Sequence, residues 1–594
     1  MTRAPIGDTT AWVDAQPPAG PPTTGTLLRW LLRHQRATIA IGMTSAVLWM
    51  GSIAAVPPVL GRAIDAIGAG DASGLLWWLV VLAMLAVLQA SAAVVRHWHA
   101  TLIGARSGLA VTHLVAARGL EPTGGLERHL PSGEAVSRAT SDAEWIGGPV
   151  DLMCRGSAAV VVFIGVAVAM VVTSPPLGLL IVVGLPPLLL VMVPLWRPLD
   201  RRAGEQQATL AAATTLAADT VAGLGTVKGL GIEDAVKARY RAGTAGVRHA
   251  AMRVARLSAG WDGLRVAVPG LFLAAIAWLG GRLALEGRIS PGELVAFLGY
   301  ATFLVEPIAT FAELGRVWAR GIASARRVAD MLALPPAVAE GTDGARVSAA
   351  APSIELAGVS LADAGSARPL LDHVDLQVQG GRRVGIVCAD PDAQGGIVDL
   401  LARDRDPDQG AVRVDGIDVR ALRLDRLRAV MVVGDREAFL FTGTLEDNLR
   451  AARPRANPSE VDAALAAAAA QDIAAVEGLE LVVAERGRSL SGGQRQRVAL
   501  ARTVLTDAPV LVLEDPASAV DAVTEQRLVA GLLAARRGRT TILLTSSPAL
   551  LAALDEAVWI DAGRVAARGS HTHLLAHAPA YRAAVLATKP GETS

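Results

Sequence analysis

The sequence predicts an all-α six-helix transmembrane domain followed by an α/β domain, and three observations predict it. Hydrophobic residues make up 52% of the 594, against 19% charged, which is too apolar for an ordinary soluble enzyme. The long apolar runs fall within the first 330 residues. From Ile354 onward, short β-type runs alternate with helical stretches, the pattern of a mainly parallel sheet.

The elements follow in order. Residues 1–24 are rich in Pro, Ala, Gly and Thr and lack a basic start followed by an apolar core. They are expected to form a disordered cytoplasmic tail rather than a cleaved signal peptide. The transmembrane domain is assigned to 25–330. Leu27 to Arg33, with Trp30, has the pattern of an amphipathic segment lying at the interface. Six apolar stretches follow at about 37–62, 75–98, 150–173, 177–197, 264–286 and 293–318, each long enough for a bilayer core of roughly 30 Å.

Loop lengths alternate between these stretches. The links 63–74, 174–176 and 287–292 are short and carry Asp65, Asp71 and Arg288. The links 99–149 and 198–263 are long, helical in pattern, and bear Arg106, Arg118, Arg128, Arg138, Arg201, Arg202, Lys228 and Lys237. The positive-inside rule puts the long links and both termini in the cytoplasm, so helices two to five are expected to extend beyond the bilayer. Within the spans, Arg155 and Glu306 are charges in apolar surroundings, where they either contact substrate or snorkel and pair, with Asp151, Arg265 or a partner residue. Pro57-Pro58 and Pro186-Pro187 are expected to kink their helices, for motion or for packing. Trp77-Trp78 suits an interfacial anchor.

A linker rich in Pro and Ala, 331–351, leads to the α/β domain at 352–585 and a tail at 586–594. Its strands are expected at Arg383–Val387, Val430–Val433, Val510–Leu513, Thr541–Leu544 and Ala557–Ile560. The net charge of +1 gives no field to recruit nucleic acid. The two cysteines, Cys154 and Cys388, lie in different halves, which excludes a disulfide scaffold and a Cys-based zinc site, and no metal site is expected on protein ligands alone.

One motif identifies a family. Leu490-Ser491-Gly492-Gly493-Gln494, followed by Arg495-Gln496-Arg497-Val498-Ala499-Leu500-Ala501-Arg502, resembles the signature and following helix of ABC ATPases. A serine and two glycines opening a helix offer a hydroxyl and backbone N–H groups to a phosphate, aided by the helix dipole. Glu485-Arg486-Gly487 is similar to the loop that couples to the membrane domain, and Ser518, Ala519 and Asp521 to the D-loop that communicates across the dimer. Phe439 to Thr444 resembles the segment after the Q-loop. Gly133, Glu134, Ser137, Arg138 and Asp142 resemble the first cytoplasmic loop of ABC exporters, and Gly223 with Thr226-Val227-Lys228 the second. The resemblance covers nearly the whole chain from residue 25. It implies an exporter-type half-transporter, with a P-loop-NTPase-like ABC nucleotide-binding domain fused behind the membrane domain.

The nucleotide-holding motifs depart from the family. Where it has G-x-x-G-x-G-K-S/T, this chain has Cys388-Ala389-Asp390-Pro391-Asp392-Ala393-Gln394-Gly395, without the three glycines, the lysine or the magnesium-binding hydroxyl. Glycine serves there for close backbone approach to phosphate, proline removes an N–H donor, and the two aspartates repel a polyanion. The Walker B acids are exchanged, as Glu514-Asp515, which leaves the shorter acid at the base position. Arg436 stands at the Q-loop glutamine, Asp363 at the adenine-stacking aromatic, and Ser546 at the switch histidine. A catalytic site on this chain's own residues is therefore not expected, and nucleotide there is expected to be weakly held or absent.

In this family each ATP lies between the P-loop of one domain and the signature of the other. The resemblance thus implies a heterodimer in which Leu490, Ser491, Gly492, Gly493 and Gln494 meet ATP and Mg2+ held by a homologous half-transporter with an intact Walker A motif and catalytic Glu. The expected setting is a bacterial cytoplasmic membrane, multi-pass among lipid, with the nucleotide-binding domain in the cytoplasm. The cargo class is a small hydrophobic or amphipathic compound, exported. Alternatives are an importer of the same architecture, such as a siderophore-type one, a non-transporting scaffold or regulator, and a homodimeric ATPase with unorthodox residues.

Overall fold

The computed structural model describes residues 22–179, 183–184, 193–342, 347, 351–362, 368–434, 438–475 and 477–586. Pro186-Pro187, most of the 177–197 stretch, and nearly all of both expected tails lie outside them. The chain divides into a helical unit, residues 1–118 with 131–333, and an α/β unit, residues 119–130 with 334–594.

Eight helices carry the helical unit's argument: α1 Thr24–His34, α2 Arg36–Gly68, α3 Ala72–Gly119, α4 Ala143–Thr173, α5 Val193–Ala222, α6 Glu233–Leu285, α7 Pro291–Phe303 and α8 Val305–Leu332. Thr23 caps α1, its side chain accepting from the Thr26 N–H, and α1 buries Leu27 and Leu31 on one face, as the amphipathic pattern requires. Among the described residues, three helical stretches are long and apolar enough to cross a membrane: Arg36–Gly68, Ala72–Gly119 and Gly133–Thr173. Of the other stretches, the fifth contains the shorter apolar segment Gly270–Leu285, and the sixth falls on α7 and α8. α3 has 48 residues and α6 has 53, so at 1.5 Å per residue they run about 70 and 80 Å, over twice the hydrocarbon thickness.

The expected single helix over 293–318 is interrupted at Leu304. Pro307, three residues on, has no N–H for the Phe303 carbonyl, so the ladder breaks where the sequence had suggested continuity. At Gly223 the chain bends by 68° into the short helix Leu224–Leu230. The residues resembling the first cytoplasmic loop converge on α8. Asp142 accepts from the Ser324 hydroxyl at 2.9 Å and from Arg327 Nε at 2.9 Å, while Arg138 donates to Glu134 and to the Arg327 carbonyl. Burial by itself would raise the Asp142 carboxyl, but the hydrogen bonds from Arg327 and Ser324 hold it below the usual carboxylate range.

The core of the helical unit lies among α2, α4, α6 and α7, with Met50, Ala158, Met170, Ile276 and Phe297 nearly or fully buried. α2 and α7 meet through glycine. A Cβ on Gly292 would lie 2.1 Å from the Gly61 carbonyl oxygen, and one on Gly61 would lie 2.3 Å from that of Gly292. Asp65 fixes the same crossing by accepting from Ser290 Oγ at 2.7 Å and from the Gly292 N–H at 2.8 Å.

In the α/β unit, β3 Arg383–Cys388, β6 Met431–Gly434, β9 Val510–Glu514, β10 Thr540–Leu544, β11 Glu556–Asp561 and β12 Arg564–Gly569 form one sheet in the order β12-β11-β3-β10-β9-β6. All its pairings are parallel except β11 with β12. Its central strands are buried almost end to end, which explains their continuous Val, Ile and Leu runs. A second, antiparallel sheet is built in the order β2-β1-β4-β5, from β1 Ile354–Leu361, β2 Leu371–Val378, β4 Gln409–Val414 and β5 Ile417–Asp418, and the short strands β7 Gly443–Thr444 and β8 Val482–Val483 pair with each other.

Residues 119–130, from the middle of a long polar link, are part of this unit. The Ala337 N–H donates to the Thr123 carbonyl at 3.1 Å, and Arg128 pairs with Asp399 at 3.5 Å. Gly125 has φ +99°, and a Cβ there would lie 2.7 Å from the Ala337 nitrogen.

Gly292→Ala should cost about 1–3 kcal/mol, since its methyl group meets a carbonyl and a carboxylate. Gly68→Ala, whose Cβ meets open space, should be neutral. Thermal unfolding of the detergent-solubilised chain reads both, and equal melting temperatures would contradict the glycine crossing.

Candidate functional site

The candidate site lies at the carboxyl ends of β3, β9 and β10, where open α/β sheets place ligands. After β3 the chain passes through Ala389 and Asp390 and at once begins helix α9, Pro391–Ala402. Asp390 is its N-cap, accepting from the Asp392 N–H at 2.9 Å, and Pro391 is its first residue. Proline is preorganised for that position, and the aspartate takes up a first-turn donor. The sequence that lacks the P-loop glycines thus closes into a self-capped helix start.

Gln394, on the first turn of α9, reaches across to the end of β9. Its Nε2 donates to Glu514 Oε1 at 3.1 Å and, more weakly, to Asp515 Oδ2 at 3.4 Å. A lysine position and two acid positions that the sequence reading treated separately are therefore in contact. Gly395 follows with open space around its Cβ position. Asp515 has φ +41°, an uncommon conformation for a non-glycine residue, and its N–H donates to the Leu544 carbonyl at 2.8 Å. Ser546, past the end of β10, is exposed, whereas Ser547 donates its hydroxyl to Glu525. Arg436 and Asp363 lie outside the described residues.

Cys388 is half-buried at the end of β3. Burial, then the nearby carboxylates of Asp390 and Glu514, push its thiol up to about 12. Its burial suits a packed small side chain rather than a reactive thiol.

The signature is a different kind of surface. Ser491 caps helix α10, Gly492–Leu505, in a reciprocal capping box. Its hydroxyl accepts from the Gln494 N–H at 3.2 Å, and Gln494 Oε1 accepts from the Ser491 N–H at 2.9 Å. Ser491 and Gly492 are exposed, and Leu490 anchors the turn below them. A Cβ on Gly493 would lie 2.6 Å from the Ala519 carbonyl oxygen, so glycine lets the D-loop approach the signature.

Gln496, within the motif run but given no role by sequence, ties the two together. Its amide donates to the Asp515 carbonyl at 2.7 Å and to Ser518 Oγ at 3.0 Å, and accepts from the Ala519 N–H at 2.9 Å. Asp521 then caps helix α11, Ala522–Ala535, and hydrogen bonds from Thr524 and Val523 hold its carboxyl below the usual range. Arg502 of α10 donates to the Phe439 carbonyl at 2.8 Å, which fixes the segment resembling that after the Q-loop. Glu485, Arg486 and Gly487 form a tight turn before the signature, with Glu485 and Arg486 exposed and Gly487 buried, Arg486 at φ +56° and Gly487 at φ +70°. In the helical unit, Arg155 is half-buried on α4, and the Glu306 side chain lies outside the described residues, as do those of Asp151 and Arg265.

Comparison with known proteins adds the following. Residues 39–308 match the family model described as the ABC transporter transmembrane region, and residues 371–518 match the one described as ABC transporter. A multidrug efflux ATP-binding/permease protein of Mycobacterium bovis is 31% identical over 93% of this chain. The chain spans about half the length of that relative, 46% of it. An ATP-dependent lipid A-core flippase of Vibrio vulnificus is 27% identical over 76% of this chain and 78% of its own length. A solved bacterial Atm1-family ABC exporter with ATP bound shares the fold, with a TM-score of 0.77 at 24% identity, covering 93% of this chain and 98% of that one.

With its thiol held near 12, Cys388 should carry a thiolate fraction of only about one in ten thousand at pH 8. Iodoacetamide modification followed by peptide mass spectrometry should find it nearly inert at pH 8. Alkylation as fast as that of a free thiol would contradict the packing described.

Proposed function

The chain belongs to the ABC transporter family, and from that premise we propose that it is the subunit of a two-chain transporter whose own nucleotide site is silent and whose signature completes its partner's. The observation that carries this reading is the Gln394 amide donating to Glu514 and Asp515. The side chain at the lysine position has no charge for phosphate and is engaged with the acids that would otherwise hold magnesium and water. Asp390 takes a first-turn N–H, Pro391 has none, and two aspartates face where a polyanion would come. A triphosphate with its magnesium does not fit this set.

The signature half does fit. Ser491, Gly492, Gly493 and Gln494 present a hydroxyl and exposed first-turn N–H groups, held against the D-loop by Gln496. In the proposed heterodimer these groups, with Leu490 beneath them, bind the γ-phosphate of ATP and Mg2+ held by a homologous half-transporter with an intact P-loop and catalytic Glu. That bound nucleotide supplies the free energy of hydrolysis. Ser518, Ala519 and Asp521 form the contact that communicates across the dimer, and Glu485, Arg486 and Gly487 the turn that couples to the membrane domain. Residues 25–330 serve as that domain and 352–585 as the nucleotide-binding domain on the cytoplasmic side of a bacterial membrane. The cargo class is a hydrophobic or amphipathic small compound moved outward, in keeping with the activities named for the similar efflux and flippase proteins.

The test is a pair of substitutions read as ATPase activity of the assembled complex. Ser491→Ala or Gly492→Asp should lower turnover by about 100-fold, the scale for loss of positioned groups at a reacting phosphate. Asp515→Ala should change it by less than about twofold, since it removes only the weak contact to Gln394, away from the partner's phosphates. Equal losses from both would sink the assignment.

A further inference from the structure

The helical unit contains a cavity of about 630 Å3 between α2, α3 and α7, lined by Trp49, Met50, Ile53, Gln89 and Phe303 among others. That volume is in the range of sites for small ligands. Its wall is apolar with a single amide, Gln89, which has no side-chain hydrogen bond among the described residues. At one edge, Gly299 lies against the Pro57 ring, where any side chain would clash, so the wall is a packed crossing of α2 and α7.

Arg96 lies seven residues beyond Gln89 on α3, two helical turns and about 10 Å along the same face. Its guanidinium sits 4.8 Å from the centroid of the Trp49 ring, the same tryptophan that lines the cavity. Its Nε is buried without a hydrogen-bond partner among the described residues. A cation stacked on an aromatic face keeps its in-plane N–H groups for an acceptor, and a buried N–H left unmade costs free energy. Arg96 also stands two residues before the end of the apolar stretch 75–98, the end that continues into the link bearing Arg106 and Arg118.

We infer that this cavity binds an anionic amphiphile from the membrane, its apolar body against Met50, Ile53 and Phe303, and its carboxylate or phosphate group on Arg96. Trp49 joins the two subsites, and Gln89 contacts the polar neck between them. The inference specifies the cargo-facing site of the proposed transporter subunit and rests on that reading for its purpose. Binding itself requires no nucleotide, so a failed ATPase assay and a failed binding assay are distinguishable.

The experiment uses the full chain in phosphatidylcholine nanodiscs without ATP. Trace photoactivatable phosphatidylglycerol, or photoactivatable phosphatidylcholine with the same acyl chains, is cross-linked and mapped by peptide mass spectrometry. Labelling by the anionic probe should map to the peptides holding Trp49–Ile53 and Thr302–Phe303, and should exceed that by the zwitterionic probe by about fivefold, the scale of one Arg-to-anion attraction at a membrane surface. R96Q should remove the difference and R96K should keep most of it. Equal labelling by the two probes in the wild-type chain, or labelling confined to other peptides, would overturn the assignment. So would an unchanged preference in R96Q.

Discussion

The hydrogen bond from Gln394 to the acids at the end of β9 organises the rest of the nucleotide-binding unit. A P-loop lysine acts as a mobile point charge that follows phosphate oxygens. A glutamine at that position is neutral, and beside two carboxylates it has acceptors it can satisfy without a ligand. Such bonds to a charged group are worth about 1.5–3 kcal/mol net, enough to set the resting arrangement of the site. Self-capping of α9 by Asp390 acts in the same direction, because a helix start that satisfies its own donors has fewer for an anion. The residues between Cys388 and Gly395 thus act together as one closed helix start.

The signature shows the reverse economy of parts. Gly493 has no side chain where the Ala519 carbonyl approaches, and Gln496 uses all of its amide to hold Asp515, Ser518 and Ala519. These contacts keep Ser491 and Gly492 presented outward on a rigid helix start. The end of β9 and the signature are therefore held by two hydrogen-bond networks that meet at Asp515. At that residue the carboxylate accepts from Gln394 and the main-chain carbonyl from Gln496.

Much of this was legible in the sequence, for identifiable reasons. The parallel strands were readable because burial on both faces demands continuous Val, Ile and Leu runs, and the expected ranges agree with β3, β6, β9, β10 and β11 to within a residue or so. The signature was readable because its glycines and cap sit at fixed spacing. The contact between Gln394 and Glu514 was not, since it joins positions 120 apart. Nor was the inclusion of Gly119–Leu130 in the α/β unit, which depends on the backbone of Thr123 and Gly125 rather than on any apolar pattern. The break at Leu304 had a local signal in Pro307, but the apolar run around it suggested a continuous helix. The order β2-β1-β4-β5 likewise arises from non-local pairing that strand propensity does not encode.

The most direct measurement is the ATP turnover of the purified chain, alone and after co-expression with a homologous half-transporter that carries an intact P-loop. The account predicts no turnover above background from the chain alone and robust turnover from the pair. Robust turnover by the chain alone would contradict it, because residues 388–395 would then be holding and using nucleotide in spite of the Gln394 bond.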